Sequence, residues 1–238
     1  MLNGLYLAAA GGQAQSARLD ILADNLAKIS VTGYRGDYAA VQAAAVRSRG
    51  ALAAPGGVIT RADFSEGQVK ETGNPLDVAL SGRGLIAVSD GKRTYYTRNG
   101  NLEIDRDNDL AVGGLKVQGE GGQGIAVTRD LPIRILEDGV VMQGAETRGK
   151  IQVVDFPNAG QALQRLNGNF VTTGPGVESV PGTASVQQGM LESSNVDAVR
   201  GMVDLMGTTR AFDMNMRMVR YLDYSLQRLI SSVGSIPS

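Results

Sequence analysis

Apolar and small residues near the N-terminus recur with gaps that alternate between four and three. The series is Leu5, Ala9, Gly12, Ser16, Leu19, Ala23 and Leu26. This is the heptad spacing of a helix that pairs with another helix. The pattern predicts a long first helix that ends after Ile29, and Gly33 supplies the positive φ expected just past a helix end.

A longer heptad stripe runs through the C-terminal region. Its apolar residues fall seven apart at Ala198, Leu205, Phe212, Val219, Leu226 and Val233, and they are interleaved with Met202, Thr209, Met216, Leu222 and Ile230. The stripe predicts a second long helix. Asn195 is the predicted N-cap, because its short amide side chain accepts a hydrogen bond from a free N–H of the first turn.

The middle of the chain has a different pattern, in which short alternating runs rich in β-branched residues are separated by turn signals. The runs that predict strands are PLDVAL, GLIAVSD, RTYYTRNG, NLEID, LAVGGLKVQG, GIAVT, LPIRILEDG, KIQVVDF and NFVTT. Asp90-Gly91, Asn99-Gly100 and Asp138-Gly139 are dipeptides typical of hairpin turns.

These patterns together predict an α+β chain, in which long N- and C-terminal heptad helices form a coiled-coil or bundle domain and the centre is an all-β module. The predicted division places the N-terminal helix in 1–36, a connector in 37–70, the β module in 71–188 and the C-terminal helix in 189–238. Two uses of the helices stay open at this point: an internal antiparallel pair that closes a globular domain, or a bundle shared between subunits of a filament.

Composition removes several classes of function. Lys+Arg number 23 and Asp+Glu 24, with no basic run, so a nucleic-acid partner is not expected. The chain has no Cys and no His, which excludes Ser-His-Asp, Cys-His and ordinary zinc chemistry. No apolar run is long enough for membrane insertion. No Lys or Arg precedes the apolar segment Leu5 to Ala10, so a cleaved signal peptide is not expected.

Two short motifs resemble ligand sites but fail on their context. GEGGQG, residues 119–124, matches G-x-G-x-x-G, but the β-branched IAVTRDLPIRI follows it where a dinucleotide site needs a helix. DRDNDL begins like a calcium loop, yet Leu110 and Lys116 occupy the positions that need Gly and Glu. We therefore expect no catalytic residues, no cofactor, no metal site and no small-molecule substrate.

Three segments, in order along the chain, resemble the bacterial flagellar rod and hook proteins. NLAKISVTGYR, residues 25–35, resembles the signature that ends the N-terminal helix of that family. QGMLESSNVDAVRGMVDLMGTTRAFDMN, residues 188–215, resembles its C-terminal segment, and GNPLDVALSGRGLIAVSDGKRTYYTRNGNLEID is similar to its central one. Lys28, Val31, Gly201 and Gly207 depart from the residues usual in the family.

The resemblance implies a structural, non-enzymatic axial subunit of the flagellar rod. Such a subunit lies in the periplasm-spanning basal body, polymerises helically through its terminal helices and helps to transmit torque from motor to hook. The implied partners are copies of itself, other flagellar rod proteins and the flagellar type III export apparatus, which exports the family without a cleaved signal. Length and the short connector after Tyr34 favour a proximal-rod member over a distal-rod member.

The residues expected to form assembly contacts come from the helical stripes and from the matched signatures. They are Leu5, Leu19, Asn25, Leu26, Ala27, Gly33, Tyr34, Leu191, Asn195, Val196, Val199, Met202, Leu205, Arg210, Phe212, Asn215, Met216, Val219 and Leu226. A competing interpretation is a β-domain binding protein or enzyme that dimerises through a helical arm.

Overall fold

A computed structural model describes residues 2–41, 58–157, 159–167, 169–173 and 177–233. Residues 42–57, which belong to the predicted connector 37–70, lie outside the described residues. The chain divides into two compact units. The helical unit comprises 1–27, 37–61 and 197–238, and the β unit comprises 28–36 and 62–196. The division into four segments that the sequence predicts, 1–36, 37–70, 71–188 and 189–238, stays a prediction.

The helices are α1 (Leu2–Ala27), α2 (Ala159–Ala162) and α3 (Ala198–Val233). The strands are β1 (Asp37–Val41), β2 (Val58–Ala62), β3 (Val69–Glu71), β4 (Val78–Ser81), β5 (Leu85–Ser89), β6 (Thr94–Thr97), β7 (Glu103–Ile104), β8 (Leu110–Val112), β9 (Leu115–Val117), β10 (Ile133–Ile135), β11 (Val140–Gln143), β12 (Glu146–Lys150), β13 (Val153–Asp155), β14 (Leu163–Asn167), β15 (Phe170–Thr173), β16 (Val180–Pro181), β17 (Ser185–Gln188) and β18 (Met190–Glu192).

In the helical unit, α1 and α3 run antiparallel. A methyl group added at Gly11 would lie 3.7 Å from the Asn215 side chain, and one added at Gly201 would lie 4.0 Å from that of Leu26. The middle of α1 therefore lies beside the middle of α3, and the end of α1 lies beside the start of α3. The unit also contains the two-stranded sheet of β1 and β2.

The prediction of a coiled-coil or bundle domain formed by both termini is wrong. In the described residues each terminus supplies one long helix, and α1 and α3 form a single pair beside a small sheet. The apolar residues of α3 are also divided between two sides, because Leu205 and Phe212 are partly buried while Met206 and Met214 are exposed. In a two-stranded coiled coil, by contrast, the apolar residues of each helix form one stripe that faces the partner helix. The centre is not all-β either, since it contains α2.

The β unit is built from antiparallel sheets. In the largest sheet the strand order is β14-β15-β6-β5-β9-β8-β7, with β13 paired to both β5 and β16. A three-stranded sheet has the order β10-β11-β12, and two further pairs join β17 to β4 and β18 to β3. The last two pairs bring the end of the β unit back to its beginning.

The core of the β unit has two clusters that share β5. Ile86 and Val88 belong to the larger cluster, whereas Leu85 belongs to a smaller one with Phe156 and Val171. Successive strand residues point to opposite faces, so β5 is covered on both faces. This explains why its sequence is continuously apolar instead of alternating. The Phe156 ring meets the Tyr96 ring edge-on, with centroids 4.9 Å apart.

Most of the runs predicted as strands contain strands in the structure, and the Asp90-Gly91 and Asp138-Gly139 turns connect β5 to β6 and β10 to β11. Two details differ. GIAVT forms only isolated bridges through Gly124 and Ala126. The first helix ends at Ala27 instead of Ile29, and turns follow it.

Candidate assembly sites

Gly33 lies where the segment 28–36 meets β18 inside the β unit. Its φ is +66°, as predicted, and its N–H donates to the Glu192 carbonyl at 2.7 Å. A Cβ at this position would stand 2.4 Å from the Arg98 carbonyl carbon. The glycine is therefore required by a close backbone approach as well as by its φ, and it does not stop α1, which ends at Ala27.

The Tyr34 ring is completely buried, and two cations lie close to it. The Arg165 guanidinium lies 4.6 Å from the ring centroid, and the Lys28 Nζ lies 5.4 Å from it. Arg165 also donates to the Arg35 carbonyl. Cation–π contacts of this kind contribute about 0.5–2 kcal/mol each, more when water is excluded. These contacts fix the segment 28–36 to β14.

Glu192, at the end of β18, is the centre of a buried ionic cluster. Its carboxylate is paired with two guanidinium groups, since Arg35 Nη2 lies 2.7 Å from Oε1 and Arg98 Nη1 lies 3.3 Å from Oε2. The Gly67 N–H also donates to Oε1 at 2.7 Å. All three charged side chains are at most 5% exposed. We call Arg35, Arg98 and Glu192 the buried triad.

The buried triad carries one positive charge in excess, which backbone carbonyls partly neutralise. Arg98 donates to the carbonyls of Leu80 at 2.8 Å and Gly82 at 2.5 Å. Arg35 donates to that of Ser65 at 2.6 Å. Burial lowers the pKa of Arg98, and the Glu192 charge opposes this effect. Since a guanidinium stays charged in proteins, the cluster is stable only while its carboxylate is present.

Asn195 holds three parts of the chain together in the β unit. Its Oδ1 accepts from the Gly36 N–H at 2.7 Å, and its Nδ2 donates to the carbonyls of Asp63 at 2.9 Å and Ser65 at 3.2 Å. The prediction that Asn195 caps the C-terminal helix is therefore wrong. Of its sequence neighbours, Val196 is partly buried, and Leu191 is partly buried in β18 opposite Lys70.

Asp197 is the N-cap of α3. Its carboxylate Oδ1 accepts from the Arg200 N–H at 3.0 Å, and its carbonyl accepts from the Gly201 N–H at 2.9 Å. These are the two bonds that define an N-cap residue, and the carboxylate also faces the positive end of the helix dipole. The sequence pattern predicted only Asn195 as the cap, but the side chain of Asn195 bonds to Gly36, Asp63 and Ser65 in the structure.

The inward sides of α1 and α3 contain nine of the nineteen residues that the sequence assigns to assembly. Asn25 closes α1 onto β1, donating to the Asp37 carbonyl at 2.6 Å and accepting from its N–H at 2.8 Å. Ala27 is exposed, and the side chain of Leu5 lies outside the described residues. The members that are partly buried are Leu19, Leu26, Leu205, Phe212, Asn215, Met216, Val219 and Leu226.

The outward side of α3 carries a second apolar stripe. Val199 is 73% exposed and Met202 is 51% exposed, although the heptad pattern grouped Met202 with the residues that face inward. Arg210 is exposed on the same side. We call this surface the outer face of α3. Its exposed apolar residues are Val199, Met202, Val203, Met206, Met214, Met218, Tyr221 and Tyr224.

The residues that resembled a calcium loop hold a lysine ammonium. Lys116 Nζ lies 2.8 Å from carboxylate oxygens of both Asp107 and Asp109, and 3.8 Å from one of Asp105. Hydrogen bonding to Lys116 lowers the pKa of Asp107, and the same bonds raise the pKa of Lys116. Within the part of the chain that the structure describes, no group of three or more acidic side chains is arranged to hold a metal ion.

Sequence reasoning missed the roles of Arg35, Arg98, Glu192 and Asp197. A charged residue inside or next to a strand that is otherwise apolar, as Glu192 is in MLE, was the available signal for a buried pair. Its partners lie far away along the chain, so no local pattern could identify them. The structure brings Gly33, Tyr34, Leu191 and Asn195 together in the β unit.

A long terminal helix with an exposed apolar stripe is typical of proteins that assemble with others. None of the described helices is both long and apolar enough to cross a membrane. The family profile "Flagella basal body rod protein" matches residues 5–35, and "Flagellar basal body rod FlgEFG protein C-terminal" matches residues 187–232.

Relatives match over nearly the whole chain. The flagellar basal-body rod protein FlgF of Escherichia coli (strain K12) is 31% identical, covering 94% of this chain and 95% of its own length. That of Salmonella typhimurium is 29% identical, with the same coverage. The rod protein FlgG of Agrobacterium fabrum is 31% identical, covering 93% of this chain and 96% of its own. The chain belongs to the family of flagellar basal-body rod proteins, and it is a structural protein of the flagellar basal body.

Proposed function

We propose that this chain is an axial subunit of the proximal rod, which joins copies of itself and other rod proteins through its terminal helices and transmits torque from the motor to the hook. The observation that carries the proposal is the outer face of α3. Eight large apolar side chains are exposed on one side of a long helix in a chain of the rod family. Burying them against neighbouring subunits would supply the main free energy of assembly.

The length of the alignments supports the proximal type. Matches to relatives named FlgF run over 231 to 246 positions. Matches to relatives named FlgG run over 259 to 268 positions, although both groups cover more than nine-tenths of this chain. The additional positions are insertions relative to this chain. In length it therefore resembles the FlgF group more closely.

The residues assigned to assembly from the sequence divide into two proposed roles. Inward residues such as Leu19, Leu26 and Phe212 hold the pair of helices together, while outward residues such as Val199 and Arg210 meet neighbouring subunits. Gly33, Tyr34 and Asn195 act inside the β unit, where they secure the segments of chain that precede β1 and α3. They support assembly only indirectly.

We further propose that the function is structural and not catalytic. The chain lacks the His and Cys side chains on which most acid–base and nucleophilic sites depend. Export through the flagellar type III apparatus fits the same chain, because a protein without cysteine has no disulfide to reduce before it is unfolded. In a strain with an inactive export apparatus, the chain should accumulate in the cytoplasm.

Deletion of the gene tests the proposed function. A deletion strain should be non-motile, and its basal bodies should stop at the rod stage, with rings in the membrane but neither a completed rod nor a hook. Expression of the intact chain from a plasmid should restore both structures. Complete rods in the deletion strain, or basal bodies from the complemented strain that lack the chain, would contradict the proposal.

A further inference from the structure

We infer that the outer face of α3 binds the outward side of α1 of a second copy of this chain. The inference rests on the proposed function and names the partner surface within it. Both surfaces are exposed in a single chain, so neither is used by the helix pair itself.

The outward side of α1 is lined by small or short side chains. Its exposed residues recur every three or four positions, which places them along one side of the helix. They are Ala9, Gln13, Ser16, Asp20, Ala23, Asp24 and Ala27. Two helices approach more closely where the side chains at the contact are small. This side therefore forms a shallow groove that suits a ridge of large side chains.

The outer face of α3 is such a ridge. It presents Val203, Met206, Met214 and Tyr221 at helical spacing, and Tyr221 is 76% exposed. Met side chains are flexible and fill irregular gaps, so they tolerate a groove of uneven depth. A ridge of large residues and a groove of small ones are complementary in shape.

Charge favours the same pairing. Exposed arginines outnumber acidic residues on the outer face of α3, where Asp213 stands beside Arg210, Arg217, Arg220 and Arg228. The outward side of α1 carries Asp20. Contact between the outer faces of two α3 helices would bring arginines against arginines, which is repulsive, whereas contact with α1 brings opposite charges together.

The two surfaces are different, which determines the kind of assembly. A contact between unlike surfaces of identical chains is heterologous, and it continues from copy to copy unless the rotation closes a ring. A chain that presents a ridge on α3 and a groove on α1 therefore offers one binding surface to each of two neighbours. This is the geometry required for an axial structure.

Cysteine cross-linking tests the inference, because the natural chain contains no cysteine. Two copies with different tags, one carrying Ser16→Cys and the other Val203→Cys, are expressed together in the deletion strain, and isolated basal bodies are oxidised. We expect a disulfide-linked dimer that contains both tags. Arg18→Cys is the matched control, since Arg18 is exposed two positions away on a different side of α1. It should give no dimer with Val203→Cys.

Disulfides formed only between Val203→Cys copies, or only to another protein, would overturn the inference while the proposed function stands. Absence of the chain from basal bodies would instead remove the proposed function. If the cysteine variants build no rods, charge variants test the contact between α3 and α1 instead. Copies that continue along one axis share a direction, so α3 of one copy meets α1 of the next antiparallel, and a contact of Ser16 with Val203 places Asp20 near the exposed Arg200. Arg200→Asp should lose rods and motility, and Asp20→Arg in the same chain should restore part of both. A double variant no better than Arg200→Asp alone would overturn the inference.

Discussion

The Glu192 carboxylate lies 2.7 Å from the Arg35 guanidinium, although the two residues come from near opposite ends of the chain. The pair joins the segment after α1 to the strand that precedes α3, and it is buried in the β unit. Both stretches lie within matches to rod-protein profiles, so the buried triad connects the two parts of the sequence that carry the family resemblance.

Removing the Glu192 charge should strongly destabilise the β unit. Glu192→Ala leaves two buried guanidinium groups without a carboxylate, and breaking a buried pair in this way costs about 3–5 kcal/mol. Urea unfolding of the purified chain measures the loss. The control is Glu71→Gln on the paired strand β3, where Glu71 is exposed and the change should stay within about 0.5 kcal/mol. Equal effects of the two substitutions would show that the triad does not stabilise the fold.

Gly33 and Gly73 allow the effects of φ and of close packing to be separated. Both have positive φ, +66° and +70°, but a Cβ at Gly73 would meet nothing within 4 Å. Gly73→Ala should therefore cost only the left-handed strain, about 1–2 kcal/mol. Gly33→Ala should cost clearly more, because it also displaces the Arg98 backbone. Thermal unfolding compares them, and similar melting temperatures would contradict the close approach.

Substitution of Asn195, the predicted cap, should affect the β unit, whereas substitution of Asp197, the observed cap, should affect the helical unit. Asp197→Ala should weaken the first turn of α3 by about 1 kcal/mol, and Asp197→Asn should retain most of the bond. Hydrogen exchange at Arg200 and Gly201 reports this change. Asn195→Ala should leave those amides unaffected but increase exchange at Gly36, whose N–H it releases. Faster exchange at Arg200 in Asn195→Ala would restore Asn195 as the cap.

Lys116 should control the titration of Asp107. Hydrogen bonding to Lys116 lowers the pKa of Asp107 below its ordinary value of 3.8, so this contact stabilises the fold above that pH and is lost as the pH falls through the folded pKa. In Lys116→Met, the Asp107 pKa measured by NMR should rise toward 3.8. The pKa of Asp90, lowered by the N–H groups of Arg93 and Lys92, should stay unchanged. An unchanged pKa of Asp107 would mean that the Lys116 ammonium does not contact its carboxylate.

A charge on the outer face of α3 should block assembly without unfolding the chain. Val203→Asp places a carboxylate on an exposed position, so the stability of the monomer should change by less than about 1 kcal/mol. Rod assembly and motility should be lost, because burying an unpaired charge at a subunit contact is costly. Gln227→Glu is the control, since Gln227 is exposed on α3 outside the set of apolar residues. Normal rods with Val203→Asp would show that the outer face meets no neighbour.

The sequence alone determined the elements whose signals are local. Heptad spacing located both long helices, alternating runs located most strands, and the Gly33 position required a positive φ. Each of these features depends on neighbours a few residues apart, where backbone geometry and side-chain periodicity act directly. The match of three segments to one family was also a property of the sequence.

Tertiary structure decided which apolar side of α3 faces α1, because a helix with apolar residues on two sides satisfies the same periodicity with either side buried. In the tertiary structure Asn195 also accepts a hydrogen bond from Gly36, and Asp197 is the residue that caps α3. Finally, it joined Glu192 to Arg35 and Arg98, a contact between residues that are distant in the sequence. A buried ion pair needs only proximity in space, so no local pattern of residues could specify those partners.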